Sequence, residues 1–306
     1  MRVRRIGLLK CFSVYVFVSC GCMSIPAHAE ECGNGVKLHL SAEQATQGSL
    51  LLAEITMTNG FAGVKGEWDS KKLEFWDMGP AAGQSGIRSE SLVGIDLEKP
   101  PGEYKITIEA QKENGQKANC SATIVVKQGR FATERLRVNK QFVEPDPQQV
   151  QRSEEERKRL REIFATVSPE PLWKGKFRRP LESVSTGGNF GKRRVLNGKA
   201  GSPHAGMDFP AITGTPVHAS QAGKVVLADN LFFSGNTVVV DHGLGIYTFY
   251  CHFSATNVKV GDEVQAGTIL GKVGATGRVT GPHLHWALSI EGTRVNPLEI
   301  VRLLGK

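Results

Sequence analysis

The density of glycine in the C-terminal part of this 306-residue chain constrains its fold more than any other feature. Residues 181–306 hold 19 of the 35 glycines, and no long amphipathic helical pattern interrupts them. Strand-like runs recur between the glycine turns, at residues 215–219, 223–228, 237–241, 246–253 and 283–290. We therefore predict a compact all-β domain over residues 181–306.

The first 29 residues have the pattern of a secretory signal peptide. Arg2, Arg4, Arg5 and Lys10 carry four positive charges at the start of the chain, and an apolar run spans about residues 8–18. Ala27-His28-Ala29 then supplies a small-x-small cleavage site. We expect an exported protein of the periplasm or cell envelope, without a membrane span once the signal is removed. Two alternatives remain open: an uncleaved anchor, and a lipoprotein acylated at Cys20 or Cys22.

The formal net charge of +8 is unevenly distributed. Four positive charges belong to the signal segment. The rest of the chain carries about −4 over residues 30–128, +5 over 129–180 and +3 over 181–306. Because no block is a basic stripe with interleaved aromatic residues, we expect no nucleic-acid partner. A mildly basic mature chain suits contact with an anionic wall polymer.

Three of the six cysteines remain outside the signal segment. Cys32 and Cys120 bracket the first candidate domain, and an exported chain meets an oxidising compartment, so we predict that they form a disulfide. In the chain-entropy model, closing a loop of that size stabilises the fold by roughly 4–5 kcal/mol. Cys251 lies in an apolar stretch, which favours a buried and inert thiol.

Residues 30–128 read as short strands separated by turn clusters, which predicts an immunoglobulin-like β-sandwich. They contain no catalytic constellation, so we expect a spacer or docking module. Residues 129–180 are different: prolines flank a charged segment, 148–166, that predicts one helical connector. Ser153 and Glu156 fit a capping box, and the alternating charges favour a solvated helix. Its basic residues are candidates for contact with an anionic polymer.

Six of the eight histidines fall between residues 204 and 285, and they form two local patterns. His283 and His285 flank Leu284 on one strand, so both imidazoles project on the same face while the leucine projects on the other. His204 and Asp208 lie in a segment whose glycine and prolines favour an extended or turned backbone. Two imidazoles and one carboxylate supply three N/O ligands, which leaves an open fourth position on Zn²⁺.

These motifs, taken in order, resemble the lysostaphin/LytM-type zinc metallopeptidases, which cleave peptidoglycan peptides. The resemblance rests on His204-x-Gly206-x-Asp208, Gly214-Thr215-Pro216-Val217, Tyr250-x-His252 and Gly281-Pro282-His283-Leu284-His285, and it covers roughly residues 180–300. It implies an antiparallel β-barrel or sheet. It also implies one Zn²⁺ held by His204, Asp208 and His285, with His252 and His283 as unligated catalytic histidines.

The same resemblance places Asn236 at a position that lines the substrate groove. The chain departs from the family where Phe253 follows His252, a position that is often aliphatic; we interpret this as a packing change. His39, His218 and His242 have no partners in these motifs, and we expect structural roles for them.

The sequence therefore predicts a zinc endopeptidase that acts on the peptide cross-links of peptidoglycan. One alternative is a non-catalytic peptidoglycan-binding activator of another cell-wall hydrolase, since the same fold can host such proteins. Another is a zinc peptidase for a protein substrate. We also expect the first domain and the connector to cover part of the groove, because they directly precede the catalytic domain.

Overall fold

The computed structural model describes residues 29–80, 86–181 and 189–305. The predicted signal segment thus lies outside the described residues, apart from Ala29 at its end. The chain is mainly β, as predicted, and the described part contains 22 strands and two α-helices. None of the helices in these ranges is both long enough and apolar enough to cross a lipid bilayer.

The first ten strands form two five-stranded sheets. Their order is β1-β2-β4-β8-β7 in one sheet and β3-β10-β9-β5-β6 in the other. All neighbours are antiparallel except β3 and β10. The strands are β1 (Ala29–Gly33), β2 (Val36–Leu40), β3 (Gln44–Thr46), β4 (Leu50–Met57), β5 (Phe61–Trp68), β6 (Lys71–Leu73), β7 (Trp76–Asp77), β8 (Ile87–Gly94), β9 (Gly102–Lys112) and β10 (Lys117–Lys127).

Period-two alternation explains why these two sheets pack face to face. In β9, Ile106, Ile108 and Ala110 are buried while the residues between them face outward. Leu38 and Ile55 from the other sheet belong to the same buried cluster. The predicted two-sheet core is therefore present; its assignment as immunoglobulin-like stays a prediction.

A disulfide joins the two sheets of this first unit. Cys32 lies in β1 and Cys120 in β10, with their Cα atoms 4.8 Å apart across a sequence separation of 88. This is the pair that the sequence predicted. Cys251 is the free cysteine of the described ranges, and it is buried.

The connector consists of β11 (Thr133–Leu136), a 3₁₀ helix (Lys140–Phe142) and α1 (Pro147–Ala165). The predicted capping residues were wrong. Asp146 is the N-cap: its Oδ1 accepts from the Gln149 N–H at 2.8 Å, and Gln149 Oε1 accepts from the Asp146 N–H at 3.1 Å. Pro147 occupies the first helical position, where a missing N–H costs nothing. Ser153 instead lies inside the helix, and its hydroxyl donates to Val150 O.

Helix α1 was predicted to be solvated on all sides, and this prediction was wrong. Leu160, Ile163 and Phe164 pack on a buried cluster of the C-terminal sheet that includes Tyr247. The Phe164 and Tyr247 ring centroids are 5.5 Å apart. Arg159 Nη1 also lies 2.7 Å from Asp229 Oδ2, although both side chains are about half exposed and this pair contributes little. The helix is therefore attached along one face.

The rest of the chain forms a three-stranded sheet, β11-β12-β13, and a nine-stranded sheet. The path of the larger sheet is β14-β21-β18-β17-β16-β19; β20 joins β15 to β18, and β22 pairs with β21. The elements are β12 (Arg193–Leu196), β13 (Lys199–Ala200), β14 (Met207–Pro210), β15 (Pro216–His218), β16 (Gly223–Leu231), β17 (Gly235–Asp241), β18 (Ile246–Thr256), β19 (Glu263–Val264), β20 (Ile269–Val273), β21 (His283–Ile290), β22 (Thr293–Val295) and α2 (Pro297–Leu304).

Of the two predicted forms, barrel or sheet, the structure has the sheet. A closed barrel needs every strand paired on both sides. Within the described ranges, β14 and β19 terminate the path, and β19 has only two residues. The sheet is antiparallel throughout, so its hairpins bring distant motifs to one face.

The first unit contacts this sheet through an apolar cluster and a polar edge. Leu50, Trp76 and Leu92 share a buried cluster with residues of the C-terminal sheet and α2. Arg294 Nη2 on β22 lies 2.9 Å from Asp96 Oδ1, and its backbone N–H donates to Asp96 Oδ2. The two units therefore pack against one another rather than hanging on a free linker.

Candidate metal centre and active-site groove

Cross-strand pairing brings the predicted ligands together. Strand β14 pairs antiparallel with β21, and Asp208 lies directly opposite His285 in that register. Their atoms Oδ1 and Nδ1 are 2.8 Å apart. As predicted, Leu284 is fully buried in the core while the two histidines beside it face the other way.

His204 reaches the same point from the loop before β14. Its Nε2 lies 2.9 Å from His285 Nδ1 and 3.0 Å from Asp208 Oδ1. The segment ahead of β12 holds the loop in place: the His204 N–H donates to Lys192 O, and the Gly191 N–H donates to His204 O. His204, Asp208 and His285 are the group of His, Cys, Asp and Glu residues in the described ranges that is arranged to hold a metal ion.

The hydrogen bonds of these side chains fit a cation. His204 Nδ1 lies 2.9 Å from Asn189 O, which can only accept, so the ring proton is on Nδ1 and Nε2 carries a lone pair. That lone pair faces an anionic oxygen of Asp208. Burial raises the pKa of Asp208, but the hydrogen bonds and charges of both histidines outweigh burial and hold it far below its usual range. Lone pairs converging this closely are stabilised by a cation between them, and the two-nitrogen, one-oxygen set suits zinc.

Gly206 provides the space that this arrangement needs. A Cβ at this position would lie 2.6 Å from His285 Cε1 and 2.7 Å from the carbonyl oxygen of Trp286. No side chain fits there without displacing the His285 ring or the β21 backbone. Steric crowding therefore explains why a glycine stands between His204 and Asp208.

His252 and His283 lie beside this centre and are held in matching tautomers. His252 Nδ1 is 2.8 Å from Thr276 O, and His283 Nδ1 is 2.8 Å from Gly281 O. Since a carbonyl only accepts, each Nδ1 carries the proton and each Nε2 is free to accept one. Burial, assisted by the charges of His285 and His283, lowers the pKa of His252 to about 3, so this ring is neutral at pH 7. The two ring centroids are 4.8 Å apart.

A β-bulge sets the position of His252. Cys251 and His252 on β18 together oppose Thr237 on β17, because Asn236 pairs with Phe253 and Val238 pairs with Tyr250. His252 has φ +66°, the left-handed region that non-glycine residues seldom occupy. Bulges and such conformations are frequent at functional sites.

A cavity of about 360 Å³ contains Asp208, His252 and His283. Its walls include Glu134, Leu136 and Val138, which belong to the connector strand β11 and the residues that follow it. The connector therefore lines part of this groove, as expected. The first domain was expected to cover it as well, but none of its described residues lines this cavity, so that part of the expectation is wrong.

Asn236 does not line this cavity. Its Nδ2 donates to Phe253 O at 2.9 Å, and its Oδ1 accepts from Asn230 Nδ2 at 2.8 Å. These bonds attach β17 to the chain just after the bulge. A substrate contact for Asn236 stays a prediction, and the observed contacts favour a positioning role.

His218, His242 and Cys251 have structural environments that account for them. His242 is fully buried between Ala222 O and Thr248 Oγ1, and burial lowers its pKa to about 4. His218 Nδ1 lies 2.9 Å from Gly267 O. Burial raises the pKa of the Cys251 thiol far above its usual range, so a nucleophilic thiolate does not form there.

Sequence reasoning missed several charged residues of the groove. Arg194 Nη2 lies 2.7 Å from Asp208 Oδ2, on the oxygen that faces away from the two histidines. Glu134 bonds Lys192 at 3.1 Å and lies 3.7 Å from Arg194. Arg278 lines the cavity beside them. No motif surrounds these residues in the sequence. Glu134 reaches the site only because β11 pairs with β12, which places it beside Arg194.

Comparisons with known proteins give matches that include this part of the chain. The profile of Peptidase family M23 matches residues 202–297. A crystal structure of a Pseudomonas aeruginosa protein assigned to peptidase M23 is 30% identical, with a TM-score of 0.62, and the match covers 84% of this chain and 94% of that one. The chain belongs to peptidase family M23. The matched segment includes all five predicted site residues: His204, Asp208, His252, His283 and His285.

Two curated relatives match over about a third of the chain. Peptidoglycan DD-endopeptidase ShyA of Vibrio cholerae is 45% identical over 112 residues, which are 36% of this chain and 26% of that protein. DD-carboxypeptidase/endopeptidase Mpg of Neisseria meningitidis is 42% identical over 97 residues, or 32% of this chain and 22% of the relative. The chain thus spans about a quarter of the length of these relatives.

Proposed function

We propose that this protein is an exported zinc metalloendopeptidase that hydrolyses the peptide cross-links of bacterial peptidoglycan. The observation that carries the proposal is the convergence of three ligand atoms, each within 3.0 Å of the others, next to two histidines with free Nε2 atoms. The name of ShyA, a peptidoglycan DD-endopeptidase, supports peptidoglycan as the substrate, and the name of Mpg supports endopeptidase activity. The signal pattern of residues 1–29 supports export to the periplasm or envelope.

In this proposal His204 Nε2, Asp208 Oδ1 and His285 Nδ1 hold one Zn²⁺. The ion supplies Lewis-acid polarisation of the scissile carbonyl and makes a nearby water more acidic. His252 or His283 accepts the proton of the attacking water at Nε2, because each Nδ1 already donates to a carbonyl. The histidine that has taken this proton would then donate it to the nitrogen of the leaving amine, while the Nε2 of the other, neutral histidine would accept a hydrogen bond from the remaining proton of the water. Arg194 holds the second oxygen of Asp208 and fixes the orientation of that carboxylate.

We further propose the division of the mature chain into a sandwich at 30–128, a connector at 129–180 and the peptidase domain at 181–306. The shared core of the first ten strands supports the first boundary. An immunoglobulin-like sandwich that acts as a spacer or docking module is consistent with its lack of a histidine cluster. The non-catalytic activator is disfavoured, because the residues for both ligation and proton transfer are complete.

The test measures the zinc content and muropeptide cleavage of residues 30–306. We expect one zinc per chain and release of monomers from cross-linked dimers. His204→Ala loses zinc and activity, whereas His283→Ala keeps zinc and loses turnover. Full activity in metal-free protein, or zinc binding without cleavage of any muropeptide, overturns the proposal.

A further inference from the structure

The charges in the groove are balanced with one exception. Lys192 bonds Glu134, and Arg194 is shared between Asp208 and Glu134. Arg278 lines the same cavity but has no acidic partner among the described residues. Burial lowers the pKa of its guanidinium and the charge of Arg194 lowers it further, while no described acid acts in the opposite direction. The groove therefore presents one uncompensated cation.

Arg278 is held in place by an aromatic platform. Its guanidinium lies over the Phe233 ring, 4.7 Å from the centroid, and its backbone N–H donates to Phe233 O at 2.8 Å. Phe233 packs against Phe232 at 4.7 Å and against Phe142 of the connector at 6.4 Å. Stacking uses the face of the guanidinium and leaves its N–H edge available for a planar, two-oxygen partner. A fixed, half-buried and unpaired arginine is suited to receive an anion.

We propose that Arg278 recognises a carboxylate of the substrate, so that the groove selects peptides with a free carboxylate next to the scissile bond. This inference rests on the proposed function, since it names a feature of the peptide that the same site cleaves. It assigns the cation to specificity rather than to ligation or proton transfer. A purely structural arginine would hold the Phe233 platform without distinguishing a carboxylate from an amide.

The experiment compares two cross-linked muropeptide dimers, one with free carboxylates beside the cross-link and one with the same groups converted to carboxamides. We expect the zinc-loaded protein to prefer the free acid by about 10- to 100-fold in kcat/KM, as for a charge-assisted hydrogen-bond pair. Arg278→Gln removes this preference by lowering kcat/KM for the acid alone. Arg278→Lys retains part of it, because the charge remains but the planar fork is lost.

Arg193→Gln is the matched control, since this arginine is exposed on β12 and does not line the cavity. We expect it to leave both rates unchanged. If Arg278→Gln lowers the rates for both dimers equally, or if the unaltered protein cleaves both equally well, the inference is overturned.

A binding measurement separates this inference from the proposed function. Calorimetry on zinc-loaded His283→Ala, with and without Arg278→Gln, gives the affinity for each dimer without turnover. A carboxylate preference that depends on Arg278 supports the inference even if the unaltered protein cleaves neither dimer, in which case the proposed function alone fails. Equal affinity for both dimers overturns the inference while leaving any observed cleavage intact.

Discussion

Arg194 donates a hydrogen bond from Nη2 to Oδ2 of Asp208 at 2.7 Å, while Oδ1 of the same carboxylate faces His204 and His285. The arginine thereby fixes which oxygen is offered to a metal. It comes from β12, whose neighbour β11 belongs to the connector. The orientation of a proposed ligand thus depends on a strand outside the main sheet.

Replacing Arg194 by alanine is expected to weaken zinc binding by roughly 10- to 100-fold, the usual effect of removing an outer partner of a metal ligand. The carboxylate gains rotational freedom and loses a compensating charge. Competition with a chelating dye measures the zinc Kd. Arg193→Ala serves as the control, and an unchanged Kd in Arg194→Ala would contradict this role.

Gly206→Ala is expected to abolish stoichiometric zinc binding. The new Cβ would lie 2.6 Å from His285 Cε1, so the ring must leave its position. Zinc analysis after gel filtration measures this loss. Gly63→Ala is the control, since a Cβ there meets nothing within 4 Å. Normal zinc content in Gly206→Ala would show that the ring relaxes at little cost.

Asn236→Ala separates a positioning role from a substrate contact. If the amide supports the bulge that carries His252, the variant lowers kcat and loses roughly 1 kcal/mol of stability, with KM nearly unchanged. If Asn236 binds substrate, KM rises instead. Steady-state kinetics and chemical denaturation distinguish the two outcomes.

The carboxyl of Glu291 is expected to make the stability of the folded protein depend on pH. Burial, with the charge of Glu74, raises its pKa from 4.5 to about 7. A carboxyl whose pKa is raised in the folded state favours folding when protonated. The free-energy cost of ionising this carboxyl in the folded protein is absent below pH 4.5. It builds up as the pH rises from 4.5 to 7 and is complete above pH 7.

We therefore expect Glu291→Gln to raise the free energy of unfolding at pH 8 by roughly 1–2 kcal/mol, allowing for partial exposure, and to change it little at pH 4.5. Thermal melting at both pH values is the measurement. Equal effects at the two pH values would mean that the carboxyl is not the titrating group.

The thiol chemistry of residues 30–306 gives a simple count. Cys32 and Cys120 are paired, and Cys251 is buried with a raised pKa. A thiol reagent should therefore find no reactive group in the native protein, one in denaturant, and three after reduction and denaturation. Reaction of the native protein would show that Cys251 is accessible.

Local patterns predicted those parts of the site that depend on local geometry. Residues two apart on a strand project on the same face, so the sequence alone predicted that His283 and His285 point the same way. The register that sets Asp208 opposite His285 depends on which strands pair, and the sequence did not predict it. Only the family resemblance implied that the two residues belong to one site. Arg194, Glu134 and Arg278 gave no signal, because their environment is created by contacts between distant segments.

The connector shows a second limit. Ser153 and Glu156 match a capping box in the sequence, whereas the observed cap, Asp146, stands directly before a proline that favours the first helical position. The attachment of α1 was hidden because few apolar residues, among them Ile163 and Phe164, carry the contact. A charged helix with a narrow apolar strip resembles a solvated one until its partner surface is known.

The backbone conformation of His252 lowers the stability of the folded protein at the proposed active site. A side chain at φ +66° is strained, whereas glycine would occupy that position freely. Relief of this strain in His252→Gly would offset part of the cost of removing a buried imidazole. A variant that keeps its melting temperature and loses turnover would therefore mark the strained conformation as one that serves the proposed reaction.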